Sequence, residues 1–551
     1  MKNQSSNGPP PCALPKLCGA DIELGNFISG VERPDGTGFE ASRRLISQID
    51  GYPKNANGYY GTLWTGFRAA GDEDDWHPLG KGRSAPGFLD AQDVGRRFLP
   101  SNAGCIYIDL NHLELAIPEV LSAYDHLAAW HAMLRIARAA QLRANNERRR
   151  EHRIQVLINN SDGMDSSYGS HLNFLISRRT FDNIFCRKAH YLQFLASFQV
   201  SAIVLTGQGK VGSENGRPAV PYQISQRADF FEILQGIQTT FRRPIVNSRD
   251  ESLCGIEKSS DPRALARLHV IFFDSAIAHG SALLRVGTMQ LILAMIELDL
   301  VDARLILDDP LDAVRTFSCD PTLHAKSRLI SGQRRTAVEL QTAYLEMVKR
   351  HAARGVFQGI VPRADEIIAL WEDTVAKLSS GDLMALAPRL DWIRKLAAIE
   401  NAMDQFPGMD YDSPQAKVID HLYSSLGDDG LYWTYEAAGL MERFVTDEEI
   451  AQFTSEPPAD TRAWTRAMLL RRAAEDGVEV WNVDWDRLTF KIPRPGGWPA
   501  FRSIDLNHPL RFTERETRFL FEECGSFEEL LDGLNNLSLD IPCRPSAARV
   551  H

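Results

Sequence analysis

The chain has 551 residues, more than one hydrophobic core normally supports, so at least two packed units are expected. Apolar residues make up 44% and charged residues 24%, which is typical of a globular protein and excludes a fibrous or disordered chain. The net charge of -11 argues against a nucleic-acid partner. No apolar run is long enough to predict a membrane span, and the scattered cysteines predict neither a disulfide framework nor a zinc site.

The N-terminal segment, residues 1–18, is rich in Ser, Asn and Pro and predicts a flexible arm. It has no apolar core of a secretory signal and no Arg-rich transit pattern, so we expect a cytoplasmic protein. Ordered chain begins with GADIELG, which is typical of a strand. A long loop, rich in Gly, Pro and Asp, is predicted at about 57–103, and loops of that length inside a domain are usually functional.

Beyond residue 104 the pattern is mixed. CIYIDLNHLELAIPE is strand-like, a helix is predicted at about 118–149, and IQVLINN returns to a strand. Further β-type runs occur at SHLNFLISR, VSAIVLTG, YQIS and RRPIVN, and their alternation favours an antiparallel sheet with one face turned to a site. Helices are expected to dominate 263–452. The pattern predicts an α+β catalytic domain over 19–452 and, from the turn signal SEPPADTRAW, a small C-terminal domain over 453–551.

Two strand-like segments carry acids that could bind a cation. Asp21 and Glu23 are two residues apart, so on a strand both carboxylates point to one face. If the second segment is a single strand, the Asp109 side chain points to one face of it, and the side chains of His112 and Glu114 point to the opposite face. Oxygen ligands with an occasional imidazole suit magnesium. The alternative is an exposed edge strand with polar side chains on it.

The segment SDGMDSSYGSHLNFLISRR places His171 and Asn173 on one face of a strand that follows a Gly/Ser/Asp turn. A structural histidine and a ligand are both compatible with this pattern. The run TGQGKVG is similar to a phosphate-binding loop but lacks both the Walker and the dinucleotide patterns.

A third group of polar residues follows in NSRDES and ARLHV, which contain Arg249, Arg267 and His269. Guanidinium groups match the oxygens of a transferring phosphoryl group and keep their charge. A structural Arg/Asp ion pair is the alternative for this group.

In their order along the chain these segments resemble the family of Pup ligases and Pup deamidases (depupylases), within the glutamine-synthetase-like carboxylate–amine ligases. The resemblance covers about residues 19–490 and rests on GADIELG, IYIDLNHLELAIPE, INNSDGMDSSYGSHLNFLISR, LTGQGKVG, YQISQRADFFE, TTFRRPIVNSRDE, RLHVIFFDS, LLRVGT, RLDWIRKL, DDGLYW and PPADTRAW. It implies a glutamine-synthetase-like antiparallel sheet that cradles ATP, with a small C-terminal domain closing over the nucleotide.

The resemblance also implies roles for ten residues. Two or more magnesium ions would be held by Asp21, Glu23, Glu114 and His171. The nucleotide would be bound by His171, Asn173, His269, Arg249 and Trp485, with the tryptophan beside the base. The catalytic residues would be Asp109, Arg249 and Arg267, of which the aspartate acts as base toward an amine and the arginines stabilise the transferring phosphoryl group.

Several positions depart from the family pattern, so the chain reads as a divergent member. Asp21 stands where the family has Glu, and Leu110 where a His is usual. Leu172 replaces the Glu that follows the histidine, and His279 replaces an acid that is expected near Ala278. In addition, SSLGDDGLYW has acids where basic residues would contact an acidic Pup tail. We therefore expect that the phosphoryl-transfer half of the site is kept and that the substrate-reading half has changed.

The main hypothesis is an ATP- and Mg²⁺-dependent enzyme that phosphorylates a glutamate-like carboxylate of a peptide or small molecule and joins it to an amine. A Pup-like protein is one candidate partner. The first alternative is an ATP-dependent deamidase or depupylase that hydrolyses an amide or isopeptide, which the long stretch between Glu23 and Asp109 favours. The second alternative is an inactive nucleotide-binding scaffold.

Overall fold

The computed structural model describes residues 13–49, 97–146, 152–251, 253, 264–494 and 496–539. Its strands are β1 (Cys18–Ile28), β2 (Arg97–Phe98), β3 (Cys105–Asp109), β4 (His112–Ala116), β5 (Ile154–Leu157), β6 (Ser170–Ser177), β7 (Lys210–Val211), β8 (Tyr222–Gln223), β9 (Phe231–Gly236), β10 (Arg243–Asn247), β11 (Leu265–Val270), β12 (Ser327–Arg328), β13 (Arg334–Arg335), β14 (Glu479–Val483), β15 (Arg487–Ile492) and β16 (Ala500–Asp505).

The helices of the described residues are α1 (Gly38–Ile46), α2 (Ala123–Asn146), α3 (Arg178–Asp182), α4 (Ala189–Thr206), α5 (His279–Glu297), α6 (Pro310–Ser318), α7 (Ala337–Ala352), α8 (Ala364–Ser380), α9 (Asp391–Gln405), α10 (Pro414–Tyr423), α11 (Leu431–Ala437), α12 (Asp447–Ser455), α13 (Arg462–Glu475), α14 (Glu514–Glu523) and α15 (Phe527–Leu539). Capping boxes begin α7, α12 and α14, where a threonine accepts from the backbone of a glutamate three residues on.

A seven-stranded antiparallel sheet forms the centre of the described chain. Its order is β11-β6-β1-β4-β3-β2, and β5 pairs with the far end of β1. Along β1 the side chains alternate, so Ile22 and Leu24 enter the core while Asp21 and Glu23 lie on the opposite face. The helices α2, α4, α5, α7 and α8 share one hydrophobic cluster with the core face of the sheet. The other face is left to polar residues.

Helix α5 is buried on all sides and closes the core behind the sheet. Among the described residues it is the one helix that is long and apolar enough, by length and composition, to cross a membrane. All of it is covered by the rest of the protein, as is usual for a central core helix.

The structure differs from the sequence-based expectation at three places, once in the type of element and twice in how the elements are arranged. VSAIVLTG is the C-terminal end of helix α4 and not a strand. Its residues are buried on every side of the helix, so the run has neither a strand nor a helix period by which the two could be distinguished. RRPIVN forms β10, which pairs in parallel with β9 outside the central sheet. Residues 265–270 lie at the start of the stretch that helices were expected to dominate, and they form β11 at the edge of the central sheet.

Two flanking predictions lie partly outside the described residues. The arm at 1–18 is described only from Ala13, and there it is packed: Leu14 and Leu17 are buried, and Lys16 forms a fully buried ion pair with Glu297. The prediction of a flexible arm is therefore wrong for residues 13–18, because Leu14 and Leu17 bury apolar surface within this proline-rich segment. Of the loop at 57–103, residues 57–96 lie outside the description, and β2 begins at Arg97.

Residues 461–539 pack around a hydrophobic cluster of their own. The sheet β14-β15-β16 is antiparallel and covers α13 and α15 through Leu488, Phe490 and Ile504. The same cluster includes Cys105 and Ala116 of the central sheet. This C-terminal unit therefore rests on strands β3 and β4, which carry the candidate site.

Candidate active site

A tight hairpin between β3 and β4 gathers the acids of the second strand-like segment. The segment is not a single strand, because the chain reverses at Leu110 and Asn111, and Leu110 adopts a left-handed conformation with φ of 49°. Asp109 then faces His112 across the hairpin, and Tyr107 faces Glu114. The turn thereby brings Glu114 to the same face as Asp109, which the single-strand interpretation had excluded.

Strand β1 adds the third carboxylate, because Glu23 is paired with Glu114 in the β1–β4 ladder. Ligand oxygens of Glu23, Asp109 and Glu114 all lie within 4.8 Å of one another. Burial raises the pKa of Glu114 well above its usual range, and the charges of Asp21, Glu23 and Asp109 raise it further. Burial and then the charge of Glu23 also raise the pKa of Asp109. Such a carboxylate triad fits a divalent cation, which removes the repulsion among the acids.

Asp21 and His171 lie beside this carboxylate triad but bind each other. His171 Nδ1 is 2.6 Å from Asp21 Oδ1, and the Asn173 amide donates to Asp21 Oδ2 at 3.1 Å. Burial pushes the pKa of Asp21 upward, but the charge and hydrogen bond of His171 outweigh it and hold the pKa well below its usual range. The other ring nitrogen of His171, Nε2, is buried without a hydrogen-bond partner among the described residues. That nitrogen is the free ligand atom of the pair.

Arginines occupy the opposite side of the site. Arg267 on β11 donates to Asn173 Oδ1 at 2.7 Å, and both Arg267 and Arg249 contact the carboxylate of Glu251, at 3.4 and 3.1 Å. His269 stacks edge-on against His171, with 4.9 Å between ring centroids. Burial, and then the charge of Arg267, lower the pKa of His269 well below its usual range, so this imidazole is neutral.

The C-terminal unit contributes Trp485 to the site. This tryptophan lies in the connection between β14 and β15 and lines the cavity described below. The Trp485 ring packs edge-on against Phe98, with 4.9 Å between centroids, and the Arg466 guanidinium lies 4.9 Å from the Trp485 ring centroid. Arg466 and Arg462 of α13 both bind the carboxylate of Glu119 in the central domain. The tryptophan is thus held by contacts to both units.

One cavity of about 480 Å³ connects these groups. All ten residues predicted from the sequence line it: Asp21, Glu23, Asp109, Glu114, His171, Asn173, Arg249, Arg267, His269 and Trp485. Their grouping differs from the prediction in one respect, since Asp109 joins Glu23 and Glu114 in the carboxylate triad, while Asp21 and His171 form a separate pair. The individual roles stay predictions.

Sequence reasoning missed residues that the structure places at the site. Tyr107 donates its hydroxyl to Glu114, and Arg243 lines the cavity and donates to the Ser167 carbonyl. Arg227 is fully buried, and its three guanidinium nitrogens have no hydrogen-bond partner among the described residues. Burial, and then the charge of Arg243, lower the pKa of Arg227 to about 9; Arg227 itself does not line the cavity. A buried arginine has no signature in a single sequence.

The run TGQGKVG is not a phosphate loop. Lys210 is buried between Asp229 and Glu214, at 2.7 and 3.0 Å, and the run does not line the cavity. Gly209 has a φ of 78°, and a Cβ there would meet the Tyr222 hydroxyl. Its glycines serve close packing.

Comparison with known proteins identifies the class. A family model described as "Pup-ligase protein" matches residues 35–489. A depupylase of Acidothermus cellulolyticus is 31% identical over 94% of this chain and 99% of its own length. A Pup–protein ligase of Acidimicrobium ferrooxidans is 34% identical over 74% of this chain and 84% of its own.

Two solved structures share the fold. The Pup ligase PafA in complex with ADP covers 78% of this chain and 90% of its own, with a TM-score of 0.65 and 26% identity. A complex between Pup and its ligase PafA covers 95% and 92%, with a TM-score of 0.72 and 23% identity. Fold and site define a glutamine-synthetase-like enzyme with an antiparallel sheet, as predicted. The chain belongs to the Pup ligase family, which confirms the resemblance.

Proposed function

We propose that this protein is an ATP- and Mg²⁺-dependent enzyme that phosphorylates a glutamate-like carboxylate and joins it to an amine. The observation that carries the proposal is the carboxylate triad of Glu23, Asp109 and Glu114, which shares one cavity with Arg249 and Arg267. Acids that hold cations and arginines that hold phosphoryl oxygens are the two halves of a phosphoryl-transfer site. The relatives named as ligases and the ADP complex of PafA support the same chemistry.

The reaction has two balanced steps. The substrate carboxylate attacks the terminal phosphorus of ATP, so ADP leaves and an acyl phosphate forms. The amine then attacks the acyl carbon, phosphate leaves, and the amine gives up a proton. A bound divalent cation would offset phosphate charge in the first step.

This chain's own residues have separate roles in the proposal. Glu23 and Glu114 would hold the cation, and Arg249 and Arg267 would neutralise the transferring group. Asp109 accepts the amine proton, a role that its carboxylate can serve because it lines the cavity at the end of β3. The substrate is proposed to be a peptide of Pup type, and the protein to be cytoplasmic.

Hydrolysis of an amide or isopeptide is the second candidate. A specific observation favours it: the depupylase relative aligns with 94% of this chain, whereas the ligase relative aligns with 74%. In this case Asp109 would direct water or attack the acyl carbon, and ATP would not be consumed in step with turnover.

A coupled assay separates these functions. The purified protein is given ATP, Mg²⁺, a peptide ending in glutamate, and hydroxylamine as the amine. We expect one hydroxamate per ADP. In a second reaction the peptide ends in glutamine and hydroxylamine is left out; amide cleavage there without matching ADP release would favour the hydrolase. ADP binding without turnover in either reaction would show an inactive scaffold.

Substitution of Asp109 tests the assigned base. Asp109→Asn is expected to lower kcat by about 100- to 10,000-fold while ADP binding, measured by calorimetry, is kept. Asp162→Asn is the matched control, because Asp162 lines the same cavity but lies outside the carboxylate triad. Equal losses in both variants, or none in Asp109→Asn, would contradict the assignment.

A further inference from the structure

The carboxylate of Glu251 lies between two arginines of the site. Its Oε1 is 3.1 Å from Arg249 Nε, and its Oε2 is 3.4 Å from Arg267 Nη2. All three residues line the cavity. Arg249 follows β10 and Arg267 belongs to β11, so one carboxylate joins guanidinium groups from two separate segments. It offsets the repulsion between two positive charges that meet at one cavity wall.

The Arg267 guanidinium is also held by neutral acceptors. Its Nε donates to the backbone carbonyl of Glu251 at 2.7 Å, and its Nη1 donates to Asn173 Oδ1 at 2.7 Å. The Arg267 side chain is only 13% exposed. Because these contacts do not involve the Glu251 carboxylate, loss of that carboxylate should leave Arg267 in its place.

The Glu251 side chain is held more weakly than its backbone. The side chain is 45% exposed, and ion pairs at such exposure contribute little because water screens them. The 3.4 Å contact to Arg267 is also longer than an ordinary charge-assisted hydrogen bond. The carboxylate can therefore turn into solvent while the backbone carbonyl keeps its hydrogen bond to Arg267.

The neighbouring acid Asp250 has a different environment. Its carboxylate binds Arg178 at 2.7 Å, and neither of these residues lines the cavity. Two adjacent acids of the segment NSRDES thus have separate partners. Of the two, Glu251 is the one that faces the cavity.

A carboxylate and a phosphoryl group offer a guanidinium the same kind of acceptor. Both present paired anionic oxygens to its N–H groups, so they compete for the same donors. A phosphoryl group that reaches Arg249 and Arg267 must either displace the Glu251 carboxylate or lie beside it against the repulsion of like charges. In both cases Glu251 lowers the affinity of the two arginines for that group.

We propose that Glu251 is an internal competitor of the transferring phosphoryl group. Its carboxylate binds Arg249 and Arg267 before ATP does, turns away when the terminal phosphoryl group arrives, and returns to help expel the product phosphate. This inference rests on the proposed function, in which both arginines bind that group. It assigns to Glu251 a role opposite to that of a residue that positions the arginines for the nucleotide.

The test compares two nucleotides that differ in the terminal phosphoryl group. Calorimetry with the full-length protein and Mg²⁺ gives Kd for the non-hydrolysable ATP analogue AMP-PNP and for ADP. Glu251→Gln should tighten AMP-PNP binding about three- to tenfold, as expected from the loss of two partly exposed charge contacts, and change ADP binding less than twofold. Glu251→Ala should act in the same direction, because it removes the competing group altogether.

The matched control is Asp250→Asn, which removes the same charge one residue away from a side chain outside the cavity lining. Its preference for AMP-PNP over ADP should stay at the wild-type value. Weaker AMP-PNP binding in both Glu251 variants would show that Glu251 positions the arginines, and unchanged binding would show that it does not compete. An equal gain in Asp250→Asn would reduce the effect to general charge. Each of these three results overturns the inference.

Arg249→Gln separates this inference from the proposed function. If the proposed function holds, Arg249→Gln weakens AMP-PNP binding more than ADP binding. When it does so and the Glu251 variants bring no gain, only the competitor role is wrong. When neither Arg249→Gln nor Glu251→Gln alters the preference for AMP-PNP, the arginines do not bind the terminal phosphoryl group, and the proposed function fails together with the inference.

Discussion

Arg466 is the strongest single link between the C-terminal unit and the site, and its removal should weaken nucleotide binding. Its side chain is fully buried and binds Glu119 Oε2 at 2.6 Å and Oε1 at 3.2 Å. It also donates to the Trp485 carbonyl at 3.0 Å and to the Ala103 carbonyl at 3.2 Å. One guanidinium thus fixes the backbone of the tryptophan that is predicted to pack on the base.

The expected magnitude follows from these contacts. Removing one partner of a buried ion pair costs about 3–5 kcal/mol, and here the lower end applies because Glu119 keeps Arg462 at 2.7 Å. The hydrogen bond and cation–π contact to Trp485 contribute about 1–2 kcal/mol more. If half of the latter is lost from the nucleotide complex, Arg466→Gln raises the KM for ATP roughly two- to fivefold.

The assay compares KM and kcat for ATP in Arg466→Gln and Arg471→Gln, with ADP affinity measured by calorimetry. Arg471 is a matched control on the same helix, because it also binds the main domain, through the carbonyls of Pro100 and Ser101, both at 2.7 Å, but does not touch Trp485. We expect Arg466→Gln to raise KM with kcat kept within about threefold, and Arg471→Gln to affect stability alone.

Two outcomes would refute this reasoning. An equal rise of KM in both variants would show that any loosening of the C-terminal unit has the same effect. An unchanged KM in Trp485→Ala would show that the ring does not contact the nucleotide, and Arg466 would then be a purely structural residue.

Three further predictions concern charge. Glu114→Gln should stabilise the metal-free protein by about 1 kcal/mol, because it removes repulsion among the acids, yet abolish the thermal shift caused by added Mg²⁺. Lys16→Met should cost about 3–5 kcal/mol in denaturant unfolding, because Glu297 stays buried without its partner, and Lys16→Met/Glu297→Gln should recover most of it. Burial raises the pKa of Glu119, but the charges of Arg466 and Arg462 outweigh it and lower the pKa from 4.5 to about 2. Ionised Glu119 should therefore add about 3 kcal/mol to the free energy of unfolding, in full above pH 4.5 and lost as the pH falls through 2. Denaturant unfolding as a function of pH should show this loss in the wild type and not in Glu119→Gln.

The alternation of residue types along a single segment was sufficient to predict part of the site. The alternation of GADIELG correctly predicted that Asp21 and Glu23 share a face, because a strand has a period of two whatever its partners are. The ordered motifs selected ten residues that line one cavity, and their individual roles stay predictions.

The pairing between strands could not be predicted from the pattern of residues within a single segment. Asp21 binds His171 because β1 lies beside β6 in a particular register, and these residues are 150 positions apart. Likewise, Glu114 changes face because of the turn at Leu110, a residue that seldom adopts a left-handed backbone. Register and turn conformation depend on the whole sheet, so a single sequence does not reveal them.

Strand β1 has a consequence for synthesis of the protein. It carries Glu23 near the N-terminus, but its neighbour β6 lies at 170–177, β11 with Arg267 lies at 265–270, and Trp485 comes much later. At 5–20 residues per second, roughly 20–90 s separate translation of Glu23 from that of Trp485. The nascent chain therefore carries the acids that are predicted to bind a cation long before it has the arginines and the tryptophan, and the cavity that all of them line is complete only near the end of synthesis.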